Sequence, residues 1–218
     1  MIYSMIANLR KETNMLTSQE DFWKNKIAGD YTRENASFDM ELGVLAWEQI
    51  LSKIDKLEIS SYLDCGSNIG RNISFLKAML PSATANIIEL AKEPFEKCLN
   101  NFQIEESFLG SIRNAKFDKT FDLVFTMGVL IHVSPDSLLE TMGQMYEMSS
   151  RYIVIGEYFN RTPVMINYRG TDDKLFKRDF GKLFVENFDC EILDYGFLWG
   201  HEFDPAGFDD ITFWLFEK

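Results

Sequence analysis

Hydrophobic positions along the chain follow two spacings, and the two alternate through most of its length. Short runs rich in apolar and β-branched residues predict strands, and apolar residues repeated every three or four positions predict the helices between them. The run at 121–125 is nearly all apolar, which is typical of a strand buried on both faces of a parallel sheet. Strands are predicted at 61–64, 84–89, 107–109, 121–125, 152–158, 191–198 and 210–217. Helices are predicted at 39–54, 72–80, 93–102, 136–149 and 178–188. This alternation is that of βαβ units and predicts an α/β fold.

Three segments of the chain depart from this alternation. About ten residues separate the last two predicted strands, which is too few for a helical crossover, so these strands are predicted to pair antiparallel. Residues 159–177 are polar and contain glycine and proline, which predicts an irregular loop that contacts substrate. Residues 17–20 have the composition of a helix start before Phe22 and Trp23.

A glycine-containing turn follows the first predicted strand. Asp64 ends the strand, Gly66 and Gly70 allow a sharp turn and close approach to a ligand, and Asn68 stands where glycine is more usual. Glu89 closes the second strand, 19 residues beyond Gly70, where an acid can accept both hydroxyls of a ribose. Together these residues predict a site for an adenosine-containing ligand. The alternatives are an ordinary strand-turn-helix and a solvated acid at a strand end.

Composition narrows the class of protein. At 218 residues and 46% hydrophobic content, the chain is long enough for one domain with its own core. The formal charge of −12 argues against binding to nucleic acid, and no apolar run reaches the length of a membrane span. Three cysteines lie far apart without C-x-x-C spacing, which predicts neither a metal site nor a disulfide and suits a cytoplasmic protein.

One segment has a net charge opposite in sign to that of the whole chain. Residues 169–182 carry a net charge of +2, while the rest of the chain is strongly acidic. The reversal favours an anionic small-molecule substrate, and a chance fluctuation of surface charge is the alternative. The basic residues are Arg169, Lys174, Lys177, Arg178 and Lys182.

Over nearly its whole length the sequence resembles the class I, Rossmann-like S-adenosylmethionine (SAM)-dependent methyltransferases. Within them it is most similar to the methylases associated with pseudaminic acid biosynthesis, which are linked to making nonulosonic sugars for bacterial surface glycans. The LDCGSNIG segment at 63–70 carries the resemblance, and the asparagine at its centre belongs to the family pattern. Further matching segments are 22–23, 29–35, 121–135, 157–163, 168–170, 173–180, 194–197 and 209–212.

The resemblance implies a seven-stranded, mostly parallel sheet with an antiparallel C-terminal hairpin and helices on both faces. It also implies one methyltransferase domain in three parts. An N-terminal helical cap over the cofactor would occupy 1–57, the cofactor-binding core 58–158, and the substrate loop and terminal hairpin 159–218.

The resemblance also assigns residues to the cofactor SAM, with S-adenosylhomocysteine as product. Ser111 departs from the family, in which an acid follows the equivalent of Gly110 and contacts the adenine amine. For Arg33, which would pair with the cofactor carboxylate, a solvated helix-end charge is the alternative. The cofactor-binding residues are Tyr31, Arg33, Asp64, Gly66, Ser67, Asn68, Gly70, Glu89, Gly110, Ser111, Ile112, Thr126, Met127 and Gly128.

Catalysis and substrate binding have fewer candidates. His132 follows the fourth strand and is the best candidate for a general base, although it could equally be a helix-entry histidine bonded to backbone. Glu157 is a lesser candidate, and Tyr158 could form a wall of the reaction site or stack in the core. The predicted substrate residues are Tyr168, Arg169, Lys174, Lys177 and Arg178.

The leading hypothesis is methyl transfer to an oxygen or nitrogen of a nonulosonic-acid-type sugar or its nucleotide conjugate. An NAD(P)-dependent sugar dehydrogenase or epimerase could use the same kind of turn, but the chain contains no Tyr-x-x-x-Lys, and the turn lacks the middle glycine that lets a pyrophosphate approach. A SAM-binding regulatory module without turnover is the third hypothesis.

Overall fold

A computed structural model describes residues 16–27, 29, 32–33 and 37–218. A seven-stranded sheet occupies its centre, and a separate two-stranded hairpin lies beside it. The strands are Ser61–Cys65 (β1), Thr84–Glu89 (β2), Ser107–Leu109 (β3), Phe121–Met127 (β4), Ser149–Glu157 (β5), Val164–Tyr168 (β6), Thr171–Lys177 (β7), Glu191–Leu198 (β8) and Ile211–Glu217 (β9). The helices are Ser18–Phe22 (α1), which continues as a π-helical turn Trp23–Ile27, then Met40–Ile50 (α2), Arg71–Met79 (α3), Lys92–Asn101 (α4), Pro135–Met148 (α5), Phe180–Val185 (α6) and Gly200–Phe203 (α7).

The order of strands in the large sheet is β3-β2-β1-β4-β5-β9-β8. The first five strands pair in parallel, and β9 runs antiparallel to both β5 and β8. The predicted parallel sheet with an antiparallel C-terminal pair is therefore confirmed. The chain leaves β1 toward one edge and returns through β4 on the other side, so the carboxyl ends of β1 and β4 flank a crevice where such sheets bind ligands.

Alternate residues of the strands supply two separate hydrophobic cores, one on each face of the sheet. On one face, Tyr62 and Phe125 pack against Trp47 of α2 and Phe75 of α3. On the other face, Leu63, Val124 and Ile153 pack against residues of α5 and α6, including Met142 and Phe184. Burial on both faces explains why these strands read as continuous apolar runs in the sequence.

Residues 159–177 differ from the prediction of an irregular loop, because β6 and β7 form an antiparallel hairpin there. Its tight turn places Arg169 and Gly170 at φ of 50° and 77°, as a type I′ turn requires. Arginine is an unusual residue for that position, so the turn could not be recognised from the sequence. Strand β6 is exposed and shows no clear alternation of polar and apolar residues, so the strand could not be recognised either.

Helix ends follow their capping residues. The predicted start at residues 17–20 is confirmed as a capping box, in which the Thr17 hydroxyl accepts from the backbone N–H of Glu20 and the Glu20 carboxylate accepts from that of Thr17. Helix α6 is shorter than the predicted 178–188. It begins at Phe180 because Asp179 caps it and accepts from the backbone N–H of Lys182, and it ends at Val185. In the described part of the chain, no helix combines the length and apolar character of a membrane span.

Candidate functional site

A cavity opens at the carboxyl ends of β1, β2 and β4. Its walls are the glycine turn after β1, the end of β2, residues 110–112, the turn after β4, and the N-terminal helix α1 with its π-helical extension. Ten of the residues named from the sequence line it: Gly66, Ser67, Asn68, Glu89, Gly110, Ser111, Ile112, Met127, Gly128 and His132.

The glycine turn has the backbone conformation that its sequence predicted. Gly66 and Gly70 adopt φ of 106° and 90°, and Asn68, at 48°, occupies the left-handed region that asparagine tolerates. A Cβ built on Gly66 would lie 2.5 Å from Cγ2 of Val129. The turn can therefore approach β4 closely only because that position has no side chain.

Glu89 joins the glycine turn to the segment after β2. Its carboxylate accepts hydrogen bonds from the backbone N–H of Asn68 and of Ala91, both at 2.8 Å. Burial raises the pKa of Glu89, while these two N–H groups and that of Leu90 oppose the rise. Each oxygen keeps lone pairs for a further donor, so the carboxylate can accept two hydroxyls from the cavity that it lines.

Asp64 and Arg71 stand at the two ends of the glycine turn. Asp64 lies outside the cavity wall and is only 1% exposed, and neither of its oxygens receives a hydrogen bond in the described part of the chain. Arg71, which the sequence analysis missed, lines the cavity with its guanidinium 5.3 Å from the centre of the Phe208 ring, and its buried Nε has no partner among the described residues. Arg71 therefore suits a ligand that brings a carboxylate into the cavity.

Asp64 gives the protein a testable pH dependence. Burial and then the charge of Glu89 raise the pKa of Asp64 to about 8, against the opposing effects of Arg71 and Asn72. Its folded pKa lies above its unfolded value of about 4, so its contribution to stability is full below about pH 4 and is lost as pH rises toward 8. We expect Asp64→Asn to flatten the fall in the free energy of unfolding between pH 5 and 8, measured by urea denaturation. The exposed Asp118→Asn is the control; equal slopes in wild type and Asp64→Asn would contradict the assignment.

The carboxylate of Glu20, from helix α1, lies beside residues 110–112. The hydroxyl of Ser111 donates to Glu20 of α1, and the guanidinium of Arg113 binds the same carboxylate at 2.9 Å and Glu140 at 3.3 Å. Burial raises the pKa of Glu20, but the hydrogen bonds from Ser111 and Thr17 and the charge of Arg113 lower it overall. A carboxylate thus lies in the cavity wall beside Ser111, at the place where the sequence analysis noted a missing acid.

The turn after β4 approaches the same cavity. Met127 and Gly128 line it, and Gly128 adopts φ of 69°, whereas Thr126 is fully buried in the strand behind them. Glu157, at the end of β5, does not line the cavity. It is fully buried, and burial raises its pKa to about 7 against opposing hydrogen bonds from the turn. A buried carboxylate with these partners holds backbone and does not touch a ligand.

His132 combines the two roles considered from the sequence, a residue of the site and a histidine bonded to backbone. It lines the cavity, and its Nδ1 lies 2.6 Å from the backbone carbonyl of Lys174. A carbonyl only accepts, so Nδ1 carries the proton and Nε2 keeps its lone pair. Burial lowers the pKa of His132 to about 4, which keeps the ring neutral near pH 7. Trp23 and Tyr168 flank the ring, with centroids 4.4 Å and 5.1 Å from it.

The predicted substrate residues do not line this cavity. Lys174 is only 7% exposed, and its ammonium lies 3.0 Å from Asp173 and 3.3 Å from the hydroxyl of Ser18. It therefore ties the hairpin to α1, and burial explains why the sequence-based role in binding a substrate anion does not fit. Tyr168 reaches the site indirectly, because it stacks on Trp23, which lines the cavity.

The other predicted residues lie around the rim or beyond it. Lys177 lies over the ring of Tyr158 at 4.8 Å, and the Tyr158 hydroxyl donates to Asp209 at 2.8 Å. Arg178 packs between the rings of two phenylalanines, and Arg169 is exposed in the hairpin turn. Gly70 is the N-cap of α3, and Arg33 is exposed. Tyr31 lies outside the described residues.

The residues of the cavity wall that sequence reasoning missed include Glu20, Trp23 and Arg71. Glu20 and Trp23 come from a helix whose position depends on contacts with distant parts of the chain, such as the side chain of Gln19, which donates to the carbonyl of Asp173 at 3.1 Å. Arg71 had a signal, since it directly follows the last glycine of the turn.

No family model matches the chain, and no curated protein does. Solved structures do match. A SAM-dependent methyltransferase from Leishmania major has a TM-score of 0.68 and 16% identity over 91% of this chain and 81% of that one. The 1,6-didemethyltoxoflavin-N1-methyltransferase of Burkholderia thailandensis, with bound 1,6-didemethyltoxoflavin and S-adenosylhomocysteine, has a TM-score of 0.67 and 11% identity over 94% and 92%.

A third similar structure is the magnesium protoporphyrin IX methyltransferase of Synechocystis PCC 6803 with bound S-adenosylhomocysteine. Its TM-score is 0.66, with 12% identity over 91% of this chain and 97% of that one. At these identities the likeness establishes the fold, which is that of the class I SAM-dependent methyltransferases.

Proposed function

We propose that this protein is a SAM-dependent methyltransferase acting on a small molecule. One observation carries the proposal: the glycine turn, Glu89 and residues 110–112 line one cavity at the point where the strand order reverses. Three recognition elements that are far apart in sequence thus meet around a space suited to an adenosine-containing ligand. Structural neighbours with the same sheet contain S-adenosylhomocysteine, which supports SAM as the cofactor.

The residues present fit the parts of this cofactor. The Glu89 carboxylate would accept the ribose hydroxyls, and residues 110–112 with Glu20 would surround the adenine. Arg71, which lines the cavity, would bind the cofactor carboxylate. When bound, the cofactor supplies an electrophilic methyl group on a sulfonium.

The protein's own contribution is alignment, exclusion of water and acceptance of a proton. Trp23 lines the cavity with its ring 4.4 Å from that of His132, which excludes water from that side of the imidazole. The Nε2 lone pair of His132 accepts the proton of an acceptor hydroxyl, and the Lys174 carbonyl stabilises the resulting imidazolium through Nδ1–H. An amine acceptor in its neutral form needs no base for the transfer itself.

Arg71 offers a test of the cofactor orientation. Arg71→Gln is expected to weaken binding of S-adenosylhomocysteine roughly 10- to 100-fold, because one charge-assisted hydrogen-bonding group is lost. Binding of 5′-methylthioadenosine, which lacks the amino acid portion, should not change. Arg151→Gln, on a surface pair with Glu217, is the matched control in calorimetric titrations. Equal weakening of both ligands would contradict the orientation.

For the acceptor, we propose a nonulosonic-acid-type sugar, either free or nucleotide-activated, methylated on oxygen or nitrogen in a cytoplasmic step of surface glycan synthesis. The sequence resemblance supports this choice. The β6–β7 hairpin contacts His132 through the carbonyl of Lys174 and Trp23 through the ring of Tyr168, so it borders the cavity.

A mass-shift screen tests the proposed reaction. Purified protein is incubated with SAM and a panel of pseudaminic and legionaminic acid derivatives, with and without nucleotide, and products are searched for the gain of one CH₂ unit. A product with one of these sugars supports the proposal. Cofactor binding without transfer to any member overturns the sugar assignment, and a thermal shift with NAD(P) but not with SAM favours the dehydrogenase or epimerase alternative.

A further inference from the structure

The carboxylate of Glu157 is held by three consecutive backbone N–H groups of the turn after β4. Its Oε1 accepts from Val129 at 3.1 Å and from Leu130 at 2.9 Å, and its Oε2 accepts from Ile131 at 3.1 Å. The side chain is fully buried, and the described part of the chain contains no salt bridge to it. Such a carboxylate is stable only while the turn keeps its N–H groups pointed inward, so turn and carboxylate fix each other.

The same turn carries two side chains that form the cavity. Val129 packs against the glycine turn at Gly66, and His132 ends the 3₁₀ turn Leu130–His132 whose first N–H groups Glu157 binds. The backbone N–H of His132 also donates to the carbonyl of Val129 at 2.9 Å. Glu157 is therefore connected to the imidazole through one short, hydrogen-bonded segment.

His132 consequently has two separate anchors. One is the carbonyl of Lys174 in the hairpin, which fixes the tautomer of the ring, and the other is the turn that Glu157 holds. The first anchor orients the ring itself, and the second fixes the backbone from which the ring projects. Both must hold for Nε2 to face an acceptor reproducibly.

We propose that Glu157 is a positioning residue for methyl transfer, which acts through the turn at 129–132 to place His132 and Val129 against the cavity. The inference rests on the proposed function for its kinetic consequence, but its structural part does not depend on any activity. Glu157 lies outside the cavity wall, so it reaches the reacting groups only through this turn.

Glutamine at position 157 tests the inference with little change in volume. An amide has a single acceptor oxygen, and its NH₂ group would face at least one of the three backbone N–H groups. The turn would then shift while the two hydrophobic cores stay intact. Glu217→Gln, at the opposite end of the antiparallel β5–β9 pair, is the matched control.

A double-mutant cycle separates positioning from a general structural role. We expect Glu157→Gln to lower kcat roughly 10-fold or more with little change in cofactor KM, and to have less than about a twofold effect in a His132→Ala background. Circular dichroism and thermal unfolding verify that each variant is folded. Additive effects on kcat, or a Glu157→Gln variant with wild-type kcat, overturn the proposal.

A spectroscopic readout keeps this test independent of the proposed reaction. The chain has two histidines, so long-range ¹H–¹⁵N spectra of the unliganded protein report His132 with His201 as an internal reference. We expect Glu157→Gln to shift the imidazole resonances of His132 and to leave those of His201 unchanged. Unchanged His132 resonances contradict the positioning role, whereas a shift in a protein without methyl-transfer activity supports the positioning and counts against the proposed function alone.

Discussion

Glu89→Ala is expected to abolish most of the affinity for SAM, with a loss of about 100-fold or more. In the proposed site this carboxylate accepts both ribose hydroxyls, and hydrogen bonds to a charged group contribute about 1.5–3 kcal/mol each. It also accepts the backbone N–H of Asn68, so its removal loosens the glycine turn that forms the neighbouring wall. Calorimetric titration of wild type and variant with SAM measures the effect directly.

The following helix supplies a matched control for this substitution. Glu93 lies four residues further on, is exposed and pairs with Lys97 at 2.8 Å. Glu93→Ala should leave cofactor affinity within about twofold, as expected for a surface ion pair. If Glu89→Ala were folded, as judged by thermal unfolding, and bound SAM as tightly as wild type, Glu89 would have no role in holding the ribose.

His132→Ala is expected to lower kcat by a factor of about 10² to 10⁴ for a hydroxyl acceptor, the range typical of general bases. The substitution leaves the glycine turn, Glu89 and Arg71 in place, so SAM affinity should change little. Because burial lowers the pKa of His132 to about 4, the base is already neutral at pH 5 and above. The wild-type rate attributable to His132 should therefore be constant from neutral pH downward and fall only as pH approaches 4.

His201 is the other histidine of the chain and provides the control. It is exposed in α7, and its ring lies 4.5 Å from that of Trp199. It is not one of the residues that line the cavity. His201→Ala should retain wild-type kcat. A His132→Ala variant with wild-type kcat on the hydroxyl-bearing acceptor would remove His132 from the chemistry, while a rate that falls near pH 6.5 would contradict its buried, neutral state.

The sequence was sufficient for the large sheet because that sheet is built from local signals. The run at 121–125 is buried on both faces, and the short connection before the last strand leaves no room for a crossover helix. The glycine turn could also be predicted from the sequence, because positive φ at Gly66 and Gly70 restricts which residues can occupy these positions.

The features that sequence reasoning missed depend on contacts between distant segments. Glu20 enters the cavity wall because Arg113, 93 residues away, binds it, and no local pattern encodes that meeting. Lys174 resembled a substrate-binding cation in the sequence, but packing against Phe22 and Ser18 buries it. The β6–β7 hairpin was hidden because exposed strands lack the apolar pattern that burial imposes.

The cavity at the carboxyl ends of β1, β2 and β4 is the proposed binding site for SAM. Isothermal titration calorimetry of the wild-type protein with SAM tests it most directly, with NAD⁺ titrated in parallel under the same conditions. We expect saturable binding at one SAM per chain and no saturable binding of NAD⁺. Absence of saturable heat with SAM up to millimolar concentration, or binding of NAD⁺ in its place, would contradict it.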